Sequence, residues 1–217
     1  TDAEGKYSFS GLPLGEYTVS VVDPTSGPLE GTKPTEAYTG RYKTVADVSI
    51  AEATGSVIDV NFGFVKPASV GDYTWMDVNR DGLQDADEPA LPGVTVTLMR
   101  ADGSAVTDAS GNPVGAVTTD AAGRYVFENL LPGDYTVSFT NPAGYAATVS
   151  DAGGDRAADS NGTESAVSLA QGQDDATVDY GLVGTGVIGD QLFADVNQNG
   201  GDALDAGDKP LAGVKVT

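Results

Sequence analysis

Residues 1–24 read TDAEGKYSFSGLPLGEYTVSVVDP and residues 119–142 read TDAAGRYVFENLLPGDYTVSFTNP, identical at 13 of 24 positions. The same offset of 118 aligns Asn61-Phe62-Gly63-Phe64 with Asp179-Tyr180-Gly181-Leu182. It also aligns Val70-Gly71-Asp72 with Ile188-Gly189-Asp190, and Asp77-Val78-Asn79 with Asp195-Val196-Asn197. A constant offset means that one structural unit recurs, and it restricts the chain to folds that a unit of about 118 residues can adopt and repeat. Residues 1–66 read as the C-terminal part of a first repeat, 67–184 as a complete central repeat, and 185–217 as the N-terminal part of a third. The chain opens inside a repeat, so Thr1 is not expected to be a natural N-terminus.

The pattern inside the central repeat is that of β-strands. Val94, Val96 and Leu98 alternate with Thr95, Thr97 and Met99. Tyr135, Val137 and Phe139 alternate with Thr136, Ser138 and Thr140. Period-two alternation of β-branched and aromatic residues reads as half-buried strands. Pro92-Gly93, Asp102-Gly103, Ala122-Gly123, Pro132-Gly133 and Asn161-Gly162 supply turns between them. The spacing predicts strands near 70–76, 93–99, 115–119, 124–128, 134–140, 145–149, 165–169 and 176–183, with no helical stripe. The expected class is all-β, an antiparallel two-sheet sandwich of Ig-like or prealbumin-like type, repeated in tandem. Trp75, the only tryptophan, is expected in the core rather than as a sugar-stacking platform, because its aligned partner Phe193 keeps the ring and loses the polar atom.

The most specific chemical signal lies between two of these strands. Asp77-Val78-Asn79-Arg80-Asp81-Gly82-Leu83-Gln84-Asp85-Ala86-Asp87-Glu88 places side-chain oxygens at loop positions 1, 3, 5, 9 and 12 and a glycine at position 6. That spacing wraps one calcium ion. Asp77, Asn79 and Asp81 each offer an oxygen, Leu83 its backbone carbonyl, Asp85 an oxygen directly or through water, and Glu88 both carboxylate oxygens. The competing reading is a solvated acidic turn. Composition favours the ion: the net charge is −21, and 24 aspartates against 8 glutamates suit loops better than helices. So acidic a chain repels nucleic acid. The absence of histidine removes the usual general base and most zinc sites, and the absence of cysteine removes disulfides. No apolar run approaches the roughly 20 residues of a membrane span, so no membrane insertion is expected within this segment.

The ordered motifs Gly71-Asp72-Tyr73-Thr74-Trp75-Met76-Asp77, Asp81-Gly82, Glu88 and Pro92-Gly93-Val94 resemble the opening of the calcium-binding B domains of serine–aspartate repeat surface adhesins. Thr119-Asp120-Ala121-Ala122-Gly123, Leu131-Pro132-Gly133-Asp134-Tyr135, Asn141-Pro142-Ala143-Gly144-Tyr145, Asp159-Ser160-Asn161-Gly162 and Asp179-Tyr180-Gly181 continue the likeness in order. The resemblance implies a β-sandwich related to the collagen-adhesin B type, strung in tandem as a calcium-stiffened stalk on a bacterial surface. It also implies Asp77, Asn79, Asp81, Asp85 and Glu88 as a first calcium site, with Asp120 and the pair Asp159 and Asn161 as further candidates. A side chain bonding its own turn is the alternative for Asp120, and an ordinary polar turn for 159–162.

The flanking repeats depart from the pattern. The third carries Asp195, Asn197 and Asn199, then two extra residues before Asp205 and Asp208, so weaker calcium binding is expected there. The first has Arg41 and Lys43 where the central repeat has Asp159 and Asn161, which argues against that second site in the first repeat. The central repeat contains no lysine, which excludes the lysine–asparagine isopeptide bond of many collagen-adhesin B-type domains. The functional expectation is a non-enzymatic, extracellular, cell-surface spacer holding Ca2+, with neighbouring repeats as partners. The alternatives are a calcium-dependent docking module, since Asp77–Glu88 also resembles a cellulosome dockerin loop, and a carbohydrate-binding module. The incomplete end pieces add possible head-to-tail self-assembly, against the plainer reading of an excerpt from a longer repeat array.

Overall fold

A computed structural model describes residues 1–22, 27–37, 41–42, 44–52, 57, 60–186, 192–196, 205 and 208–216. The described chain forms two compact units, Thr1–Gly184 and Thr185–Thr217. Every regular element among the described residues is a strand. No helix there is long and apolar enough to cross a membrane.

The first unit opens with β1 (Gly15–Ser20), β2 (Lys33–Pro34), β3 (Glu36–Ala37), β4 (Arg41–Tyr42), β5 (Val45–Ile50) and β6 (Phe64–Val65). It continues through β7 (Ala68–Met76), β8 (Thr95–Arg100), β9 (Val117–Thr118), β10 (Arg124–Leu130) and β11 (Gly133–Thr140). It ends with β12 (Tyr145–Ala147), β13 (Glu164–Leu169), β14 (Asp174–Asp175) and β15 (Tyr180–Gly184). The second unit holds β16 (Phe193–Ala194) paired antiparallel with β17 (Lys209–Pro210).

Nine strands, β7 to β15, make the sandwich. One sheet runs β10-β7-β15-β12, with β14 also on β7, and the other runs β13-β11-β8-β9. Eight of the nine fall where the alternation places strands, because the alternation is what buries one face of each; the short β14 was not expected. Glu164–Leu169 alternates exposed and buried residue by residue, as period-two geometry requires. Most pairings are antiparallel, as expected. The exceptions are β14 and β15, which run parallel to β7. First and last strands therefore lie side by side in one direction and close the sheet across its middle.

The core fills the space between the sheets. Val70, Tyr125, Phe127, Tyr180 and Leu182 of one sheet meet Val96, Leu98, Tyr135, Val137, Phe139 and Val167 of the other. Phe139 stacks on Tyr180 with ring centroids 4.5 Å apart, and its edge meets Tyr125 at 5.5 Å. These aromatic contacts cross from sheet to sheet and fix their separation. Trp75 is fully buried, as expected, but in a different layer: it stands outside the main cluster. It is registered with Gly181, where a Cβ would lie 2.8 Å from the indole. The glycine lets the ring lie on the outer face of the sheet, so Trp75 belongs to a second, smaller packing layer there.

The first 66 residues carry local features of the central repeat. Asp2 Oδ1 accepts from the N–H groups of Glu4 and Lys6, as Asp120 Oδ1 accepts from Ala122 and Arg124. The Tyr17 hydroxyl donates to the Pro13 carbonyl, as Tyr135 does to Leu131. β1 pairs with β5 over six residues, as β11 pairs with β13. One counterpart is missing. Residues 6–12 align with β10 and form no strand.

Candidate functional site

The acidic loop leaves the sheet at the end of β7, where the Asp77 N–H donates to the Leu182 carbonyl of β15. Asp77 is buried. Its Oδ1 accepts from Arg80 N–H at 2.5 Å and its Oδ2 from Gly82 N–H at 2.9 Å. The Thr148 hydroxyl also donates to Oδ2. Burial acts to raise this carboxyl's pKa, but the Thr148 hydroxyl and the Gly82, Arg80 and Asp81 N–H groups more than offset it and hold it below the ordinary aspartate value.

Asn79 and Asp81 turn the chain by the same device. Asn79 Oδ1 accepts from Asp81 N–H at 3.0 Å, and Asp81 Oδ1 from Leu83 N–H at 2.9 Å. These side-chain-to-backbone bonds shape the loop locally. The Asn79 amide then donates to Asp81 Oδ2 at 3.0 Å and to Asp85 Oδ2 at 2.9 Å, so both carboxylates point toward one nitrogen. Glu88 closes the loop: Oε1 accepts from Val78 N–H at 2.7 Å and Oε2 from Asp85 N–H at 3.3 Å. Positions 3, 5, 9 and 12 are thus linked by hydrogen bonds, while Asp77 at position 1 holds the loop backbone at Arg80 and Gly82, and the donor set suits a hard, oxygen-seeking cation. Among the described residues, no three acids come together tightly enough to grip an ion.

Gly82 is required twice over. Its φ is +80°, and a Cβ would lie 2.5 Å from the Val149 carbonyl oxygen. The close approach arises because residues 148–161 lie over the loop. Gln84 N–H donates to Ala158 O at 2.9 Å, Ser160 N–H donates to Gly82 O at 3.0 Å, and Leu83 bridges to Asp159. The loop is strapped to the sheet and to this excursion, and proline and strand pairing follow it: Met76 N–H donates to Pro89 O, and Trp75 bridges to Ala90. A helix after the loop, which the dockerin-like reading needs, is not found.

The structure separates the remaining candidates. Asp120 is exposed and spends Oδ1 on its own turn, at 2.8 Å to Ala122 N–H and 2.9 Å to Arg124 N–H. Asp159 and Asn161 are buried and adjacent, their side chains 3.5 Å apart. Asn161 uses its amide on backbone, Oδ1 accepting from Asp179 N–H at 2.6 Å and Nδ2 donating to Arg156 O at 3.2 Å. In the second unit, Asn197 and Asn199 lie outside the described residues, as does Lys43 in the first repeat. Asp195 follows β16 directly. Asp208 accepts from Val196 N–H at 3.1 Å and from Asp205 N–H at 3.2 Å. Those are the bonds Glu88 makes to Val78 and Asp85, so the shorter acid still closes its loop.

Two participants were not singled out as site residues. Thr148 carries no motif that would have marked it. Asp179 served only as a repeat marker, yet it is fully buried with no ordinary hydrogen bond to either carboxylate oxygen. Desolvation, reinforced by the charge of Asp72, pushes its pKa up to about 8.

The SdrD B-like domain family model matches residues 68–182. The chain is 38% identical over 226 residues to serine-aspartate repeat-containing protein F of Staphylococcus epidermidis, with 100% of this chain and 12% of that protein covered. It is 36% identical over 221 residues to serine-aspartate repeat-containing protein E of Staphylococcus aureus strain USA300, with 100% of this chain and 18% of that protein covered. The chain therefore spans less than a fifth of the length of these relatives. Among solved structures, the minor pilin GBS52 of Streptococcus agalactiae aligns with 88% of this chain and 70% of its own at 16% identity and a TM-score of 0.38. The fold is that of the two sheets described above.

Proposed function

Because the chain belongs to the SdrD B-like domain family, we propose that it is a calcium-stiffened structural spacer, one stretch of a tandem repeat array on the outside of a bacterial cell. The observation that carries this reading is the linked set Asn79, Asp81, Asp85 and Glu88, with buried Asp77 holding the backbone of the same loop, which is strapped to both β15 and the 148–161 excursion. Asp77, Asn79, Asp81, the Leu83 carbonyl, Asp85 and Glu88 would hold the ion. Calcium supplies positive charge that cancels the mutual repulsion of the four carboxylates.

The rest follows from what this chain's own residues do. Asp77 and Glu88 anchor the two ends of the loop, and the Asn79 amide holds Asp81 and Asp85 toward each other. Drawing these groups together tightens a loop that already ties β7 to β15 and to the excursion. First and last strands of the sandwich are then braced at the end from which the chain leaves for residue 185. The central repeat has no lysine and forms no lysine–asparagine bond, so the ion is its added source of stiffness. No catalytic step is assigned to the chain, and its partners are neighbouring repeats.

The third repeat's loop, with Asp195, Asn197, Asn199, Asp205 and Asp208, is read as a weaker version of the same site. The test is thermal unfolding and limited proteolysis of the 217-residue chain in calcium and in chelator. Calcium should raise the melting temperature and protect the loop and the 148–161 excursion from cleavage. Identical melting and cleavage in both buffers would sink the proposal.

A further inference from the structure

In the central sandwich, β9, β10, β12, β13 and β14 have a neighbouring strand on one side only among the described residues. Four of these edges are poor templates for another strand. β9 and β14 have two residues and β12 three. β10 breaks its register at a bulge between Phe127 and Leu130 and turns the charges of Arg124 and Glu128 outward. Short length, bulges and charges are the means by which an edge avoids unwanted pairing. β13 is different. It keeps an unbroken register with β11 over most of Glu164–Leu169, and its outward side chains are Glu164, Ala166 and Ser168. Two of the three are small and uncharged.

The ladder shows which backbone groups of β13 are open. Phe139 N–H donates to Thr163 O at 2.9 Å on one side of β11, and Ala101 N–H donates to Asp134 O at 3.1 Å on the other. Hydrogen-bonded pairs alternate along antiparallel strands. Ser165, Val167 and Leu169, registered with Val137, Tyr135 and Gly133, therefore spend their backbone groups on β11. Glu164, Ala166 and Ser168 turn theirs to the open side, evenly spaced about Ala166.

We propose that this edge pairs antiparallel with the same edge of a second copy of the chain, about a two-fold axis at Ala166. The occupant follows from symmetry and charge. With Ala166 opposite Ala166, Glu164 falls opposite Ser168 of the other copy, and the open N–H and C=O groups of all three residues meet. No acid lies directly opposite an acid, the arrangement that would destabilise the pair, in a chain of net charge −21. Thr136 and Ser138 of β11, registered with Ala166 and Glu164, are uncharged as well. Asp134 is registered with Ser168 and so stands one strand behind it, about 10 Å from Glu164 of the other copy at ~4.8 Å per strand. That is about one Debye length at 0.1 M salt, so added salt strengthens the pairing.

The first repeat carries the same edge in a closed form. β5 pairs with β1 as β13 pairs with β11, and Asp47, registered with Thr18, takes the place of Ala166, registered with Thr136. The Thr18 hydroxyl donates to Asp47 Oδ1 at 2.7 Å. Two-fold pairing there would set Asp47 against Asp47, so the contact selects the central repeat. This inference rests neither on calcium nor on the spacer reading.

The experiment uses the 217-residue chain, which contains no cysteine. In Ala166→Cys the two thiols would meet at the axis, where paired Cα atoms lie about 5.5 Å apart, within reach of a disulfide. Mild oxidation should give a covalent dimer several-fold faster for Ala166→Cys than for Val126→Cys, an exposed position on the other sheet. The difference should widen as salt is raised. Sedimentation of the unsubstituted chain up to about 1 mM should show a weak monomer–dimer equilibrium and nothing larger, because the contact is short and its symmetry closes. Ala166→Asp should lose the dimer with an unchanged circular dichroism spectrum, since the first repeat already accommodates aspartate there. Equal crosslinking of the two cysteine variants, a monomer at every concentration, or a dimer that survives Ala166→Asp would each overturn the proposal.

Discussion

Replacing Asp77 by alanine should destabilise the chain even without calcium. Asp77 satisfies the buried Gly82 N–H, the Arg80 N–H and the Thr148 hydroxyl. A buried donor left without a partner costs about 1–3 kcal/mol, and bonds to a charged acceptor lie at the upper end. Arg80 is exposed and can recover water, and the Thr148 hydroxyl can rotate, so the loss should be about 3 kcal/mol rather than the full sum. For a chain of this size each 1 kcal/mol moves the melting temperature by roughly 2–4 °C, giving a drop of about 10 °C. Thr148→Val removes one hydroxyl without changing the shape and should cost about 1 kcal/mol. The assay is urea and thermal unfolding in chelator at pH 7. The carboxyl titrates below its ordinary value, so its stabilisation is present above about pH 4 and is lost as the pH falls through the depressed folded value. The gap between wild type and Asp77→Ala should therefore close in acid. A loss under 0.5 kcal/mol at pH 7, or a gap that persists in acid, would refute the claim that this carboxylate organises the loop.

Asp179 should give the opposite pH dependence. Its folded pKa is raised to about 8, so the folded state keeps a proton that the unfolded chain releases. In chelator, stability should fall as pH rises from about 4 to about 8, by at most ~1.4 kcal/mol per unit, and then level off. Asp179→Asn should flatten that slope, and an unchanged slope would show that another group is responsible. Gly181→Ala should push the indole of Trp75 off the sheet, because the new Cβ would lie 2.8 Å from it and 2.7 Å from the Thr148 methyl. A cost of about 1–3 kcal/mol is expected, with a shifted tryptophan emission; native emission and stability would contradict the described packing. Gly82→Ala should cost at least as much, since its φ of +80° and the Val149 carbonyl both oppose a side chain. Urea unfolding in chelator measures it, and a neutral result would contradict the described approach of Gly82 to the Val149 carbonyl.

The sandwich was legible because each strand carries one buried face, and a two-residue period is hard to produce otherwise. Val94, Val96 and Leu98 announce β8, and Tyr135, Val137 and Phe139 announce β11. The parallel neighbours of β7 were not legible, since strand direction depends on the order of connections rather than on side chains. Trp75 shows a related limit. Its burial followed from its aligned aromatic partner, but its layer is set by Gly181 on a strand about 100 residues away and by the excursion that covers them.

At the loop, side chains that act on their own segment were readable, and those that act across the fold were not. Asp77, Asn79, Asp81, Asp85 and Glu88 bond mostly within twelve residues, so spacing alone brought them together. Thr148 reaches Asp77 across 71 residues, and nothing near it in sequence marks the contact. Asp120 also acts locally, and its bonds are those of a turn. Asn161 was a candidate ligand by residue type, and the bonds of its amide to Arg156 O and Asp179 N–H, across the fold in the second case, were not readable from spacing. Asp208 shows that a shorter acid can keep Glu88's backbone partners when the chain before it lengthens by two residues.

Calcium titration of the 217-residue chain by calorimetry, beside the variant Asp81→Ala/Asp85→Ala, decides whether the loop from Asp77 to Glu88 holds an ion. Calcium loops in extracellular modules bind at roughly 10⁻⁴–10⁻³ M, so the titration must reach several times that range. Saturable binding by the wild type is expected, with at least one site lost in the variant while its fold is kept. No binding by the wild type, or an unchanged number of sites in the variant, would contradict it.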